Sequence, residues 1–299
     1  ATIYWPNGTL QTLRQLRANE MMAISCPATV ETIDKTTPPT PWFTDISATH
    51  APAHLHIEND FVDFKSEVLL PYQLSRFGPA LAAADVNGDG LDDVFAGGAI
   101  GQAGMLFLQQ QDGSFKSAPH QPWMADKACE DVKALFFDAD GDGDADLYVA
   151  SGGNEYDAGA PEYTDRLYLN TGNAVFKKSM HTWPVNMLQP TGAIAAGDVD
   201  GDGDIDLFVG GASEPANFPR AVPSYLLLNE SRNGQVAWKD GTASWLLALK
   251  PAMITAAAIH DMDGDGKPEL ITAGHWMPVC YFANKGTAFE EQTIQKGLH

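Results

Sequence analysis

Short apolar runs bounded by glycine recur along the chain in pairs, and each pair encloses a polar stretch crowded with aspartate. Leu81-Ala82-Ala83-Ala84 and Val94-Phe95-Ala96 flank the first stretch, and Ala134-Leu135-Phe136-Phe137 and Leu147-Tyr148-Val149-Ala150 the second. Ala193-Ile194-Ala195-Ala196 and Leu207-Phe208-Val209 flank the third, and Ala256-Ala257-Ala258-Ile259 and Leu270-Ile271-Thr272 the fourth. Brief apolar runs with glycine at their ends read as buried strands, so each pair predicts a β-hairpin with a polar tip. A third run follows each hairpin: Met105 to Leu108, Arg166 to Asn170, Tyr225 to Asn229, and Cys280 to Asn284. After a turn, an aromatic residue opens a fourth: Phe115, Phe176, Trp238 and Phe289. The hairpin tips start at 85, 138, 198 and 261, so the period is 53, 60 and then 63 residues. Four strands per long period predict an all-β fold, a β-propeller of about four blades of four antiparallel strands. The alanine-rich first run suits the innermost strand, where blades crowd together.

The polar tips carry the chemistry. Each reads Asp-x-(Asp/Asn)-Gly-Asp-Gly-x-x-(Asp/Glu). Oxygen ligands at positions 1, 3, 5 and 9, with the carbonyl of position 7, give four candidate sets. They are Asp85, Asn87, Asp89, Leu91 and Asp93; Asp138, Asp140, Asp142, Asp144 and Asp146; Asp198, Asp200, Asp202, Asp204 and Asp206; and Asp261, Asp263, Asp265, Lys267 and Glu269. Glycines at positions 4 and 6 let the backbone curl so that these side chains converge. An all-oxygen donor set without histidine or cysteine suits calcium; zinc prefers nitrogen and sulfur, and magnesium a rigid octahedron. Up to four Ca2+ ions are therefore expected, one per tip, with the fourth weakest because it has the longer Glu269 and a nearby Lys267. An EF-hand would need glutamate at position 12, where Ala96, Val149, Val209 and Thr272 stand, and flanking helices where strands are predicted.

The charge of the chain points the same way. Of its 39 acids, 18 lie in the four tips with Lys267 as the one cation among them, and the whole chain carries −21. Acids packed so closely repel one another unless a cation sits between them. A surface of this sign does not track phosphates, so nucleic acid is excluded as a partner. The hydrophobic share of 44% is ordinary for a folded protein, and no apolar run is long enough for membrane insertion.

Strand, aspartate tip, strand, then a Leu-Tyr-x-Asn element and an aromatic residue: this order resembles the FG-GAP or VCBS repeat of integrin-α-like β-propellers. The resemblance covers about residues 42–299 and implies calcium on the hairpin loops. Trp42-Phe43-Thr44-Asp45-Ile46-Ser47 reads as a fifth outer element, as does Phe289-Glu290-Glu291-Gln292-Thr293, so five would serve four hairpins. The surplus implies a fragment of a larger propeller, with self-association through cut edges as one consequence. Residues 1–27, with Tyr4 to Leu13 as a strand pair around Asn7-Gly8, are similar to the end of an ASPIC/UnbV domain. The Thr- and Pro-rich stretch 28–41 reads as a linker.

Loops after each second strand are long or aromatic, and in a propeller they emerge together on one face. Tyr156, Phe218, Arg220, His275 and Trp276 are the candidate ligand-binding residues there, against the alternative of ordinary loop packing with Trp276 buried. His50, His54 and His56 have no acid motif beside them to complete a zinc site, so they read as an irregular polar connection. Cys26, Cys129 and Cys280 read as lone thiols. No hydrolase signature occurs. The expected function is a non-catalytic, calcium-binding module for adhesion or for a glycan or protein ligand, at the bacterial cell surface, in the periplasm or outside the cell. The alternative is a propeller associated with a polysaccharide lyase or hydrolase, with a catalytic or substrate-binding face.

Overall fold

A computed structural model describes residues 2–5, 10–16, 21–26 and 43–298. The chain divides into two units, Ala1–Ala48 and Thr49–His299. In the first unit β1 (Thr2–Tyr4) pairs antiparallel with β2 (Leu10–Thr12), Tyr4 opposite Leu10. That is the expected strand pair; its Asn7-Gly8 turn and the 28–41 linker lie outside the described residues. The fifth outer element is not a strand over its described residues. Phe43 to Ile46 is irregular, and Ser47–His50 forms one helical turn. The physical reason is local: an Asp45 carboxylate oxygen accepts the Ser47 N–H at 2.9 Å, a side-chain cap that favours a helix start over extended chain.

The second unit contains four antiparallel sheets, each of four strands in chain order. The first holds β3 (Leu81–Ala84), β4 (Asp93–Ala96), β5 (Met105–Gln109) and β6 (Phe115–Ala118). The second holds β7 (Asp131–Phe137), β8 (Asp146–Ser151), β9 (Arg166–Asn170) and β10 (Phe176–Lys178). Next come β11 (Thr191–Gly197), β12 (Asp206–Gly211), β13 (Tyr225–Asn229) and β14 (Trp238–Asp240). The last is β15 (Met253–His260), β16 (Glu269–His275), β17 (Cys280–Asn284) and β18 (Phe289–Glu291). These are propeller-type blades, and the four aromatic residues read from the sequence each open an outer strand.

Consecutive blades bury their apolar faces against each other, so the core is a series of layers between sheets. Phe95 and Leu106 of the first blade meet Leu147, Val149 and Tyr168 of the second. Tyr148, Ala150 and Leu167 meet Leu207, Val209 and Leu227 of the third, while Phe208 and Leu226 meet Ile254, Leu270 and Phe282 of the fourth. Each connection between blades adds a tryptophan to the layer it crosses. Trp123 packs edge-on to Phe95 and Tyr168 at centroid distances of 5.3 and 5.4 Å, Trp183 edge-on to Tyr148, and Trp245 edge-on to Phe289. The first strands run side by side near the middle, where small residues are needed. A Cβ on Gly192 of β11 would come 2.1 Å from the Ile254 carbonyl oxygen of β15, closer than any side chain tolerates.

Asparagines ending the third strands tie the blades together. The Asn170 side-chain amide donates to the Val86 carbonyl of the preceding blade at 2.8 Å, Asn229 to Ala139 at 3.2 Å, and Asn284 to Val199 at 2.8 Å. Every acceptor is the second residue of an aspartate tip. The first blade has Gln109 at the corresponding position.

At the other end of the strands, residues between His56 and Phe77 form a strap over the loops that follow the second strands. Asp63 is wholly buried and accepts from the Leu74 and Ser75 N–H groups and from the Asn154 amide. Glu67 accepts from Asn154 at 2.7 Å and from the Phe218 N–H at 2.6 Å. Tyr72 reaches the His275 ring. Thus the face where the long loops emerge is bridged: buried Asp63 and half-buried Glu67 reach the loops of the second and third blades, and Tyr72 reaches the fourth. None of the three cysteines is in a disulfide, and no described helix is long and apolar enough to cross a membrane.

Candidate metal centres

The four aspartate tips share one backbone path. Their position 4 and 6 glycines all adopt the left-handed conformation, with φ between +76° and +95°, and an added Cβ would touch nothing. Glycine is required there by backbone torsion alone. The position 1 aspartate holds the curl: Asp138 accepts the N–H groups of Gly141 at 2.8 Å, Asp142 at 3.2 Å and Gly143 at 2.9 Å. Asp85, Asp198 and Asp261 do the same in their own tips. These N–H bonds, chiefly the ones from Gly90 and Gly266, hold the Asp85 and Asp261 carboxyls below the usual range. The position 5 carboxylates of Asp89, Asp142, Asp202 and Asp265 accept the N–H of Leu91, Asp144, Asp204 and Lys267, the position 7 residues.

Position 9 anchors the tip to its blade. Asp93, Asp146 and Asp206 are fully buried as the first residues of the second strands. One oxygen of Asp146 accepts the Ala139 N–H within the tip at 2.9 Å, and the other accepts the Asn170 N–H of the third strand at 2.7 Å. Asp206 repeats this with Val199 and Asn229, both at 2.8 Å, and Asp93 with Val86 and Gln109. Burial pushes both Asp146 and Asp206 up to about 7, because a carboxylate away from water is costly to ionise. Among the described residues Glu269, with a longer stem, accepts the Met262 N–H of its own tip and no N–H of the third strand.

Convergence differs among the tips. In the second, one oxygen each from Asp138, Asp140 and Asp146 lie within 4.8 Å of one another, and in the third Asp198, Asp200 and Asp206 do so. The fourth brings Asp261, Asp263 and Asp265 together without Glu269, and among the described residues no three carboxylates of the first tip converge. There Asn87 replaces an acid and donates its amide to Asp89 at 3.2 Å. Asp140 provides the test of fit: it is 3% exposed, and its Oδ1 has no hydrogen-bond partner among the described residues. A buried carboxylate with an unpartnered oxygen, grouped with two further carboxylates within 4.8 Å, fits a hard cation. Sequence reasoning missed one neighbour of these tips. Arg232, on the loop after β13, pairs with Asp204 and lies 3.4 Å from Asp202, giving the third tip a cation of its own.

The candidate ligand face is partly assembled. Phe218 and Trp276 meet edge to face at 5.3 Å, and Trp276 is 76% exposed at a left-handed backbone position, not buried by loop packing. Arg220 is exposed and paired with Glu214 at 2.9 Å. Tyr156 instead donates its hydroxyl to the Ala128 carbonyl, and His275 is engaged by Tyr72 under the strap. Burial of the His275 ring lowers its pKa.

A family model described as the FG-GAP-like repeat matches residues 85–149 and 138–209, which span the first three aspartate tips. These matched stretches are propeller-type blades built on the repeat that the tips and strands resemble. Among solved structures, the crystal structure of the V. cholerae biofilm matrix protein Bap1 is similar at 18% identity and a TM-score of 0.37. The alignment covers 70% of this chain and 27% of that one, so the chain spans about a quarter of that protein's length. No curated protein matches the chain.

Proposed function

We propose that this chain is a non-catalytic, calcium-stabilised β-propeller module that works outside the cell in adhesion or in binding a glycan or protein ligand. The observation that carries the calcium part is buried Asp140, which has an unpartnered oxygen and is grouped with Asp138 and Asp146 within 4.8 Å. Asp138, Asp140 and Asp146 would hold one ion, and Asp198, Asp200 and Asp206 a second. Asp261, Asp263 and Asp265 would hold a third, and Asp85, Asn87, Asp89 and Asp93 a fourth. Bound calcium supplies two positive charges per tip, which removes the repulsion among its carboxylates. The residues themselves fix the tip to the second and third strands through position 9. Extracellular calcium is abundant enough for modules with Kd on the order of 10⁻⁴ to 10⁻³ M.

The ligand part rests on exposed Trp276 packed edge to face on half-buried Phe218, with the exposed guanidinium of Arg220 two residues further along the chain. Aromatic faces beside a charged group suit a sugar ring or an aromatic peptide side chain. Trp276→Ala alone is expected to keep stability within about 1 kcal/mol of the parent because Trp276 is largely exposed, and adding Phe218→Ala costs more because that ring is half-buried. On a glycan array and on bacterial surface extracts, the parent chain should bind and the double variant should lose at least about tenfold in affinity. Equal binding by both chains would remove this face from the account, and turnover of an acidic polysaccharide would overturn the non-catalytic reading.

A further inference from the structure

At the end of the strands opposite the aspartate tips, a histidine and two glutamates from distant parts of the chain come together. His56 and Glu58 are two apart on an irregular segment that the Gln102 side chain clamps on both sides. Its amide oxygen accepts the Ile57 N–H at 2.8 Å, and its amide nitrogen donates to the Leu55 carbonyl at 2.8 Å. Glu130 comes from the residue before β7, and its Oε2 accepts the Ile100 N–H at 2.9 Å, which orients the carboxylate. One ligating atom from each of His56, Glu58 and Glu130 lies within 4.8 Å of the others.

Burial sets this group apart from a surface cluster. Glu130 is 1% exposed, yet its Oε1 has no hydrogen-bond partner among the described residues. His56 Nδ1 and Glu58 Oε2 also lack one, while His56 Nε2 and Glu58 Oε1 are 2.9 Å apart. The free Glu130 oxygen faces the imidazole across Gly78, where an added Cβ would stand 2.9 Å from Oε1 and 3.8 Å from His56 Cε1. Glycine at this position keeps the space clear. Burial, then repulsion from Glu155 and Glu58, pushes the Glu130 acid up to about 8. A cation among these groups relieves both penalties.

We propose that His56, Glu58 and Glu130 form a second kind of metal site, one that takes a divalent transition-metal ion of the zinc class. An imidazole nitrogen beside two carboxylates suits zinc or cobalt, whereas calcium takes oxygen donors. The ion would pin the strap segment to the connection between the first and second blades. Glu58 supplies a local acid, and the second, which the local sequence around His56 lacks, comes from Glu130, 74 residues beyond the histidine.

The test uses the full chain in millimolar calcium, so that the aspartate tips compete poorly for added metal. Cobalt(II) titration is expected to give one equivalent of visible absorption bands that zinc displaces. Zinc should also shield His56 from diethylpyrocarbonate in peptide mapping while leaving the exposed His120 as reactive as before. A Glu130→Gln chain should bind zinc about tenfold or more weakly. Absent cobalt bands with His56 equally modified in the presence and absence of zinc would overturn the site. So would an unchanged zinc affinity in Glu130→Gln. Should that variant fail to fold, the shielding of His56 in the parent chain decides alone.

Discussion

Replacing Arg166 by methionine should destabilise the chain by about 3–5 kcal/mol, read as a fall in the urea midpoint at unchanged slope. Arg166 lies at the start of β9 with its side chain 4% exposed, and its guanidinium donates to Asp131 at 2.7 Å and to the Ser151 hydroxyl at 3.1 Å. Burial works against the arginine charge, but Asp131 beside it more than compensates and holds the pKa above the usual value. Asp131 also accepts the Gly98 N–H at 2.9 Å, so the pair joins β7 and β9 to the first blade. Methionine fills much of the volume and leaves the Asp131 charge buried alone. A chain that also carries Asp131→Asn should recover part of the loss, since no unpaired charge then remains. A single-variant loss below about 1 kcal/mol would show that the pair is not a determinant of the blade contact.

The second large effect is expected at position 9 of an aspartate tip. Asp206→Ala removes the acceptor for two buried N–H groups, those of Val199 and Asn229. Each unpaired donor costs about 1–3 kcal/mol, so a loss of about 2–6 kcal/mol should appear even without calcium. The variant should also lose the calcium of the third tip. Asp200→Ala separates the two contributions. Asp200 is exposed and accepts a single bond, from Asp202 N–H at 3.2 Å, so its loss should abolish the ion with less than about 1 kcal/mol of calcium-free cost. Because the Asn229 side chain continues to the Ala139 carbonyl, the Asp206 change should also weaken calcium binding by the second tip. Isothermal titration of both variants checks these outcomes. Equal calcium-free stability of the two would refute the anchoring role given to position 9.

Much of this was legible in the sequence because it is local. The glycines at 88, 90 and their counterparts announce a left-handed curl, and the alternation of short apolar runs with Phe115, Phe176, Trp238 and Phe289 announces four strands per blade. What escaped is long-range. Nothing around Asp63 or Glu67 indicates that they will bind Asn154 and Phe218, 91 and 151 residues away, and tie together the loops of that face. Trp123, Trp183 and Trp245 sit in connections that lack a strand pattern, so their place between blades depends on the neighbouring sheets. The Trp42 to Ser47 element shows the converse error: its composition matched an outer strand, but the Asp45 cap on Ser47 decided the local conformation. Similarly, an arginine 28 residues beyond Asp204 proved to be its partner.

Calcium held in the aspartate tips is what orders the blades in this reading of the chain. The direct measurement is calorimetric unfolding of the chain, first stripped of metal with shown removal of calcium, then titrated with calcium while binding heat and stoichiometry are recorded. The account predicts saturable uptake, with the second and third tips filling first and a melting temperature that climbs with free calcium by mass action. No uptake by the stripped chain, with a melting temperature indifferent to added calcium, would contradict it.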